Sequence, residues 1–233
     1  MRFVTTLWNG HAFWKPVVKY SVEHVERLAS MLNRHGGHKL TVVHDGTFDL
    51  PRQVDAIRMP DEVASLPDYQ PKLWLWSREL GETIGERYAA IDLDVVVLAD
   101  LAPMLAANRR IPHVPLAIWD EAVGEPYNTS LFAVEPDYAR AVWTTFAADP
   151  RRLQIAAANA TRWTGDQSWV AHVIQSRDLI KPMTFSERDG VLRYRGRRDE
   201  AGVPEGTKAV FFCGPMCPKT VGETVPWVRA CWK

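Results

Sequence analysis

Net charge is what this chain lacks. Its 233 residues carry 28 Lys plus Arg and 28 Asp plus Glu, for a formal net charge of +0. No global basic field draws it to nucleic acid or to an anionic membrane, although charge can still be local. Cysteine is scarce: Cys213, Cys217 and Cys231 are the only three, all near the C-terminal end. An odd count in a chain this long argues against a secreted fold stapled by disulfides. No apolar run approaches the roughly 18 residues of a membrane span. No basic leader with an apolar core opens the sequence, and MRFVTTLW reads as a first core strand. These absences predict a cytoplasmic chain with no membrane partner. A composition of 46% hydrophobic and 24% charged residues suits one globular domain over residues 1–233.

What the chain does have is YAAIDLDVVVLADL, Tyr88 to Leu101, in which two carboxylates interrupt an apolar run. Residues two apart on an extended backbone point to the same side, so Asp92 and Asp94 are expected to project together, with Leu93 opposite. Like charges beside a core strand are costly unless neutralised, and no Lys or Arg lies near them in sequence. A divalent cation held by oxygen ligands answers that need, and Mg²⁺ or Mn²⁺ suits carboxylates combined with a substrate diphosphate. Asp-x-Asp is short enough to occur by chance, and capping of the next turn is the plainer role.

Hydrophobic periodicity predicts a strand at Phe3–Leu7, a loop over Trp8–Trp14 and a helix over Pro16–Asn33 that stops at Arg34–His38. Strands are expected at Lys39–His44 and Gln53–Met59, a helix from Leu73 through Leu80 toward Ile84, and a central strand over Tyr88–Val97. Beyond it come a short helix at Leu101–Ala107, strands at Ile111–Ile118 and Asn128–Val134, and helices at Asp137–Ala148 and Asp166–Ser176. Short strands are expected at Ile180–Phe185, Leu192–Tyr194 and Ala209–Phe212. Strands alternating with helices over the first hundred residues imply an α/β sheet.

In this order the segments resemble the small glycosyltransferases of the GT-A fold, of the glycogenin and galactosyltransferase type. VTTLWNG resembles their first strand and nucleotide loop, and VVHDG their second strand. PKLWLWSREL resembles the Lys-bearing helix, IDLDVVV the Asp-x-Asp strand, YNTSLFAV the polar strand after it, and TGDQSWV the Gly-Asp-Gln segment. VFFCGPMCPKT stands where the family often has His-Gly-x-x-Lys-Pro. The resemblance implies a single GT-A, Rossmann-like domain with a mixed, mostly parallel sheet flanked by helices. Residues 1–100 would bind the nucleotide-sugar and residues 101–233 the acceptor.

It also implies a UDP-sugar donor, Mn²⁺ or Mg²⁺, and transfer of glucose or galactose with retention of configuration. Asp94 would ligate the metal, and Asp92 would reach it through water or hold the ribose. Thr5, Thr6, Leu7, Trp8, Asp45, Lys72, Leu93, Gly214 and Lys219 would face the donor. Asp166 would hold sugar hydroxyls and Gln167 would sit below the anomeric carbon. Asn128, Thr129, Ser130 and Trp169 would contact the acceptor. Several of these have plainer roles: Asp166 as a helix N-cap, Asp45 and Asn128–Ser130 as turn formers, Lys72 as a solvated charge. Any one of the ten tryptophans, Trp8, Trp14, Trp74, Trp76, Trp163 and Trp169 among them, can be core or stacking platform.

The sequence departs from the family at Cys213 and Cys217, where a His and a Lys are expected. Cys213 can be a weak, soft metal ligand, the third ligand can be missing, or Lys219 can take the phosphate contact. A zinc half-site and plain buried thiols are the other readings. Arg188, Arg193, Arg195, Arg197 and Arg198 surround Tyr194 in a short basic span, with Glu187, Asp189, Asp199 and Glu200 nearby. The span is either a solvated hairpin or a grip on nucleic-acid phosphates, in which case Arg193 and Arg195 would hold the acceptor. The acceptor is therefore a glycan or a hydroxymethylated base in phage-type DNA, flipped into the pocket. Two other functions compete. A nucleotidyltransferase would want a Gly-rich phosphate loop, and TLWNGHAFW has one Gly. A non-catalytic sugar- or nucleic-acid-binding protein on the same scaffold would explain the two Cys departures.

Overall fold

The computed structural model describes residues 1–9, 20–67, 69–106, 116–120, 127–151, 155, 165–176, 182–213 and 216–233. The expected positions Trp14, Trp163 and Gly214, and parts of the expected 8–14 loop, 16–33 helix and 111–118 strand, lie outside them. Strand β1, Arg2–Leu7, is buried along nearly its whole length. Helix α1, Val22–Gly36, carries apolar residues at threes and fours, and Val25, Leu28, Met31 and Leu32 are buried. It runs past Asn33 to Gly36, and Gly37 stops it at φ 64°, its N–H donating to the Asn33 carbonyl at 2.8 Å. Strands β2, Leu40–His44, and β3, Asp55–Arg58, follow, then the single turn α2, Asp61–Ala64.

The helix expected over Leu73–Ile84 is two elements. A 3-10 helix, Gln70–Trp76, opens with Pro71 in its first turn. Ser77 then goes extended and caps α3, Arg78–Ile84, its side chain accepting from the Leu80 N–H at 3.0 Å. The sequence period was right, but a cap inside it breaks the run.

The expected central strand also divides. Tyr88–Ile91 is β4 and Val95–Val97 is β5, and they belong to different sheets. The rest are α4, Ala102–Leu105; β6, Leu116–Trp119; β7, Asn128–Val134; α5, Pro136–Ala148; and α6, Asp166–Ser176. They are followed by β8, Met183–Phe185; β9, Val191–Arg193; and β10, Ala209–Phe211. Two short helices that the apolar pattern did not reveal close the chain, α7, Pro218–Val221, and α8, Pro226–Cys231. Each begins at a proline, whose fixed φ suits the first helical position.

Seven strands form the main sheet in the order β3-β2-β1-β4-β7-β6-β8. β1 runs parallel to β2 and β4, β2 to β3, and β6 to β8; β7 runs antiparallel to β4 and β6. The second sheet has the order β5-β10-β9. Alternation along the strands feeds two cores. Phe3, Ala89, Ile91 and Leu131 join the apolar residues of α1 and the small sheet. Val4, Tyr88, Ala90 and Phe132 join those of the 3-10 helix, α3, α5 and α6. The sheet is thus covered on both faces, and β1, β2 and β4 end at the edge where β7 begins. Open α/β sheets bind ligands at the carboxyl ends of their parallel strands.

Candidate active site

Asp92, Leu93 and Asp94 make the step from one sheet to the other. The Asp92 N–H donates to the Ser130 carbonyl at 2.9 Å, extending the β4–β7 pairing by one residue. The Asp94 carbonyl accepts from the Phe212 N–H at 2.8 Å, at the end of β10. Both backbones are therefore pinned, one to each sheet, and Leu93 turns into the core at 2% exposure. The two carboxylates share a cleft, as the sequence predicts, but a bend between two strands puts them there rather than one continuous strand.

The cleft has a volume of about 250 Å³. Lys72, Thr129, Ser130, Asp166, Gln167 and Cys213 line it together with the two aspartates. Tyr20, Tyr69, Gly165, Ser168 and Phe212 also line it, and sequence reasoning did not single them out for the site. Tyr69 stands three residues before Lys72, which is a detectable signal; the approach of Tyr20 is set by the tertiary fold alone.

Lys72 is the centre of the arrangement. It lies on the 3-10 helix at 7% exposure, with its ammonium 2.7 Å from Asp92 Oδ1 and 3.2 Å from Asp166 Oδ2. Burial works against its charge, but Asp166 and Asp92 outweigh burial and hold it above the usual lysine range. The Thr129 hydroxyl donates to Asp166 Oδ2 at 2.5 Å and lies 3.5 Å from the ammonium. Asp166 opens α6, so the helix N-terminus adds its own positive end to this carboxylate. Tyr20 closes the other side. Burial, then the charges of Asp94 and Asp92, push its hydroxyl well above the tyrosine range, so it stays protonated and hydrogen-bonds Asp94.

The remaining expected residues divide sharply. Thr5, Leu7 and Leu93 are buried, and none of them is among the described residues lining the cleft. Thr6 is buried, and Trp8 is half-buried with its indole N–H lacking a partner among the described residues. Asp45 sits at the end of β2, where it accepts from the Asn9 N–H at 2.7 Å and the Thr47 hydroxyl at 2.6 Å. Burial tends to raise its pKa, but those hydrogen bonds bring it below the usual carboxylate range. Asn128 is buried, and its side-chain oxygen accepts from the Ser130 N–H at 2.8 Å.

Three of the expected contacts are not brought to the cleft. Trp169 does not face an acceptor: it is 1% exposed, packs edge-on to Phe146, and donates its indole N–H to the Val142 carbonyl at 3.3 Å. Trp74 and Trp76 are likewise core, Trp76 stacking on Phe132 at 4.2 Å. Lys219 does not line the cleft; it pairs with Glu23 at 2.6 Å. It belongs to a separate hollow of about 630 Å³ with Arg27, Arg229 and Trp232. That hollow is larger, but Arg229 is bound to backbone carbonyls and Lys219 and Arg27 both pair with Glu23, so it offers no comparable chemistry. In the basic span, Tyr194 is buried and stacks on Phe212 at 4.7 Å, so it is no platform for a base. Arg195 pairs with Glu187, and Arg193 sits opposite Phe211 in the β9–β10 ladder; neither is among the described residues lining the cleft.

No group of three His, Cys, Asp or Glu side chains closes into a metal-binding set among the described residues. Asp92, Asp94 and Cys213 share the cleft wall without closing into such a set, and Lys72 is paired with Asp92. The donor set still fits a hard divalent ion in chemistry. Three carboxylates and one ammonium line the cleft among the described residues, and two of the carboxylates flank one bend. Cys213 is the poor match, a soft sulfur beside hard oxygens.

No family model matches the chain, and no curated relative matches it. Solved structures do. Galactosyltransferase LgtC in complex with donor and acceptor sugar analogs superposes with a TM-score of 0.63 at 12% identity, covering 97% of this chain and 96% of that one. The fold is that of the GT-A glycosyltransferases. Apo mouse xyloside xylosyltransferase 1 gives a TM-score of 0.54 at 10% identity, over 90% of this chain and 96% of its own. Apo GlyE from Streptococcus pneumoniae TIGR4 gives 0.57 at 11% identity, over 99% of this chain and 62% of its own. No described helix is long and apolar enough to cross a membrane.

Proposed function

We propose that this chain is a metal-dependent glycosyltransferase that moves a hexosyl unit, glucose or galactose, from a UDP-sugar to a hydroxyl. The observation that carries the reading is the meeting of Asp92, Asp94, Lys72, Asp166 and Gln167 in one cleft, at the carboxyl end of the sheet of a GT-A fold. Asp94 and Asp92 would hold Mn²⁺ or Mg²⁺, with Cys213 at the margin. A divalent ion there would supply Lewis-acid stabilisation of the departing diphosphate. Lys72 is the ammonium on the same wall and would add a charge-assisted contact to phosphate. Asp166, oriented by Thr129, would accept hydrogen bonds from sugar hydroxyls. The Gln167 amide, next along α6, would face the positive charge that develops at the anomeric carbon. Retention of configuration follows from the family resemblance.

A carbohydrate hydroxyl is the acceptor that the site favours, because the aromatic of the basic span is buried and Arg195 is already paired. The test is UDP release with Mn²⁺ across a panel of UDP-sugars, with glycan acceptors in one arm and hydroxymethylcytosine duplex DNA in another. Release that requires a glycan supports this reading. Release that requires the DNA keeps the enzyme and changes the acceptor, giving Arg193 and Arg195 that role. No release with any donor favours a sugar-binding protein on the same scaffold.

A further inference from the structure

The position of Lys72 bears on the order in which the site is filled. Its ammonium lies between Asp92 and Asp166, almost out of solvent, at 2.7 and 3.2 Å. It is the only cationic side chain among the described residues lining the cleft. An ammonium at that distance offsets the charge of Asp92 and repels a second cation entering beside it, and low local polarizability strengthens both effects. We propose that Lys72 holds the place of the divalent cation while the donor is absent, so that the metal binds weakly alone and enters with a diphosphate. The diphosphate gives the ammonium a new anionic partner, which releases Asp92 to the metal. By linkage, the metal and the nucleotide each tighten the other. This deepens the metal-dependent reading above and rests on its assignment of Asp92 and Asp94.

The sign is opposite to that of an ordinary supporting residue. Removing Lys72 strengthens binding of the metal alone and weakens binding of the metal–nucleotide pair. The experiment measures Mn²⁺ affinity by electron paramagnetic resonance on wild type and Lys72→Met, first without nucleotide and then with UDP. The expected result is Mn²⁺ binding about tenfold or more tighter in the variant without UDP, since one unit charge a few ångströms away is removed. With UDP present the order reverses. Equal or weaker Mn²⁺ binding by the variant without UDP overturns the proposal, as does absence of Mn²⁺ binding by both proteins. Where Lys72→Met does not fold, Lys72→Gln retains a polar contact without the charge and must show the same order. Mn²⁺ bound by both proteins in the wrong order fails only the role given to Lys72, whereas Mn²⁺ bound by neither, with or without UDP, also removes the metal from the reading above. Failure to transfer sugar in the assay above leaves this result standing.

Discussion

The Thr129 hydroxyl donates to the Asp166 carboxylate that also carries the Lys72 ammonium. One side chain of β7 thereby fixes how the first residue of α6 faces the cleft. The polar triplet that opens β7 divides its work: Asn128 braces the backbone, Thr129 orients a carboxylate, and Ser130 lines the wall. Thr129→Val keeps the shape and removes the donor. It is expected to lower kcat about tenfold with little change in KM for the donor, and to cost about 1 kcal/mol of stability. Steady-state kinetics and thermal melts check both, and a KM-only effect would contradict the orienting role.

Trp169 is a test of core against site. Its ring is fully buried between α5 and α6. Trp169→Ala is expected to cost about 3–5 kcal/mol of stability through the cavity it leaves. Trp169→Phe should retain most activity. Loss of acceptor affinity in Trp169→Phe, with stability unchanged, would return the residue to the acceptor site.

Lys219 is exposed, on α7, and its partner is Glu23 of α1. Lys219→Ala is expected to leave transfer within about twofold of wild type, because exposed pairs contribute little and the residue is outside the cleft. A large rise in KM for the UDP-sugar would show that this lysine reaches the donor.

The ammonium of Lys72 is held above its usual range. A raised folded value means that folding draws the proton on. The stability it gives is complete below the unfolded lysine value of about 10.4 and is lost only as pH climbs past the folded one. The stability difference between wild type and Lys72→Met should therefore stay constant from about pH 7 to 9.5. Melting temperatures across that range check it, and a difference that shrinks by pH 9 contradicts the burial and pairing described for Lys72.

Much of the site was legible because its chemistry is written in residue types that cores reject. Asp92, Asp94, Lys72 and Asp166 are charged groups beside apolar runs, and the fold brings all four to one cleft. The α/β alternation and the strand Asn128–Val134 were legible from periodicity alone. Other features were not. The bend at Leu93 leaves no mark in the apolar pattern, because both strands it joins are fully buried. Trp169 and Tyr194 are amphipathic, and only packing decides whether such a ring is wall or core. The pairing of Lys219 with Glu23 links residues 196 apart in sequence, which no local pattern records.

In the proposed function, the carboxylates at the bend hold a metal that drives sugar transfer. The most direct test is UDP release from the active UDP-sugar by wild type and by Asp94→Asn, each with Mn²⁺ and with chelator. Chelation and Asp94→Asn are each expected to reduce turnover about a hundredfold or more, while circular dichroism shows the variant folded. Full activity in folded Asp94→Asn, or turnover indifferent to chelator, would contradict it.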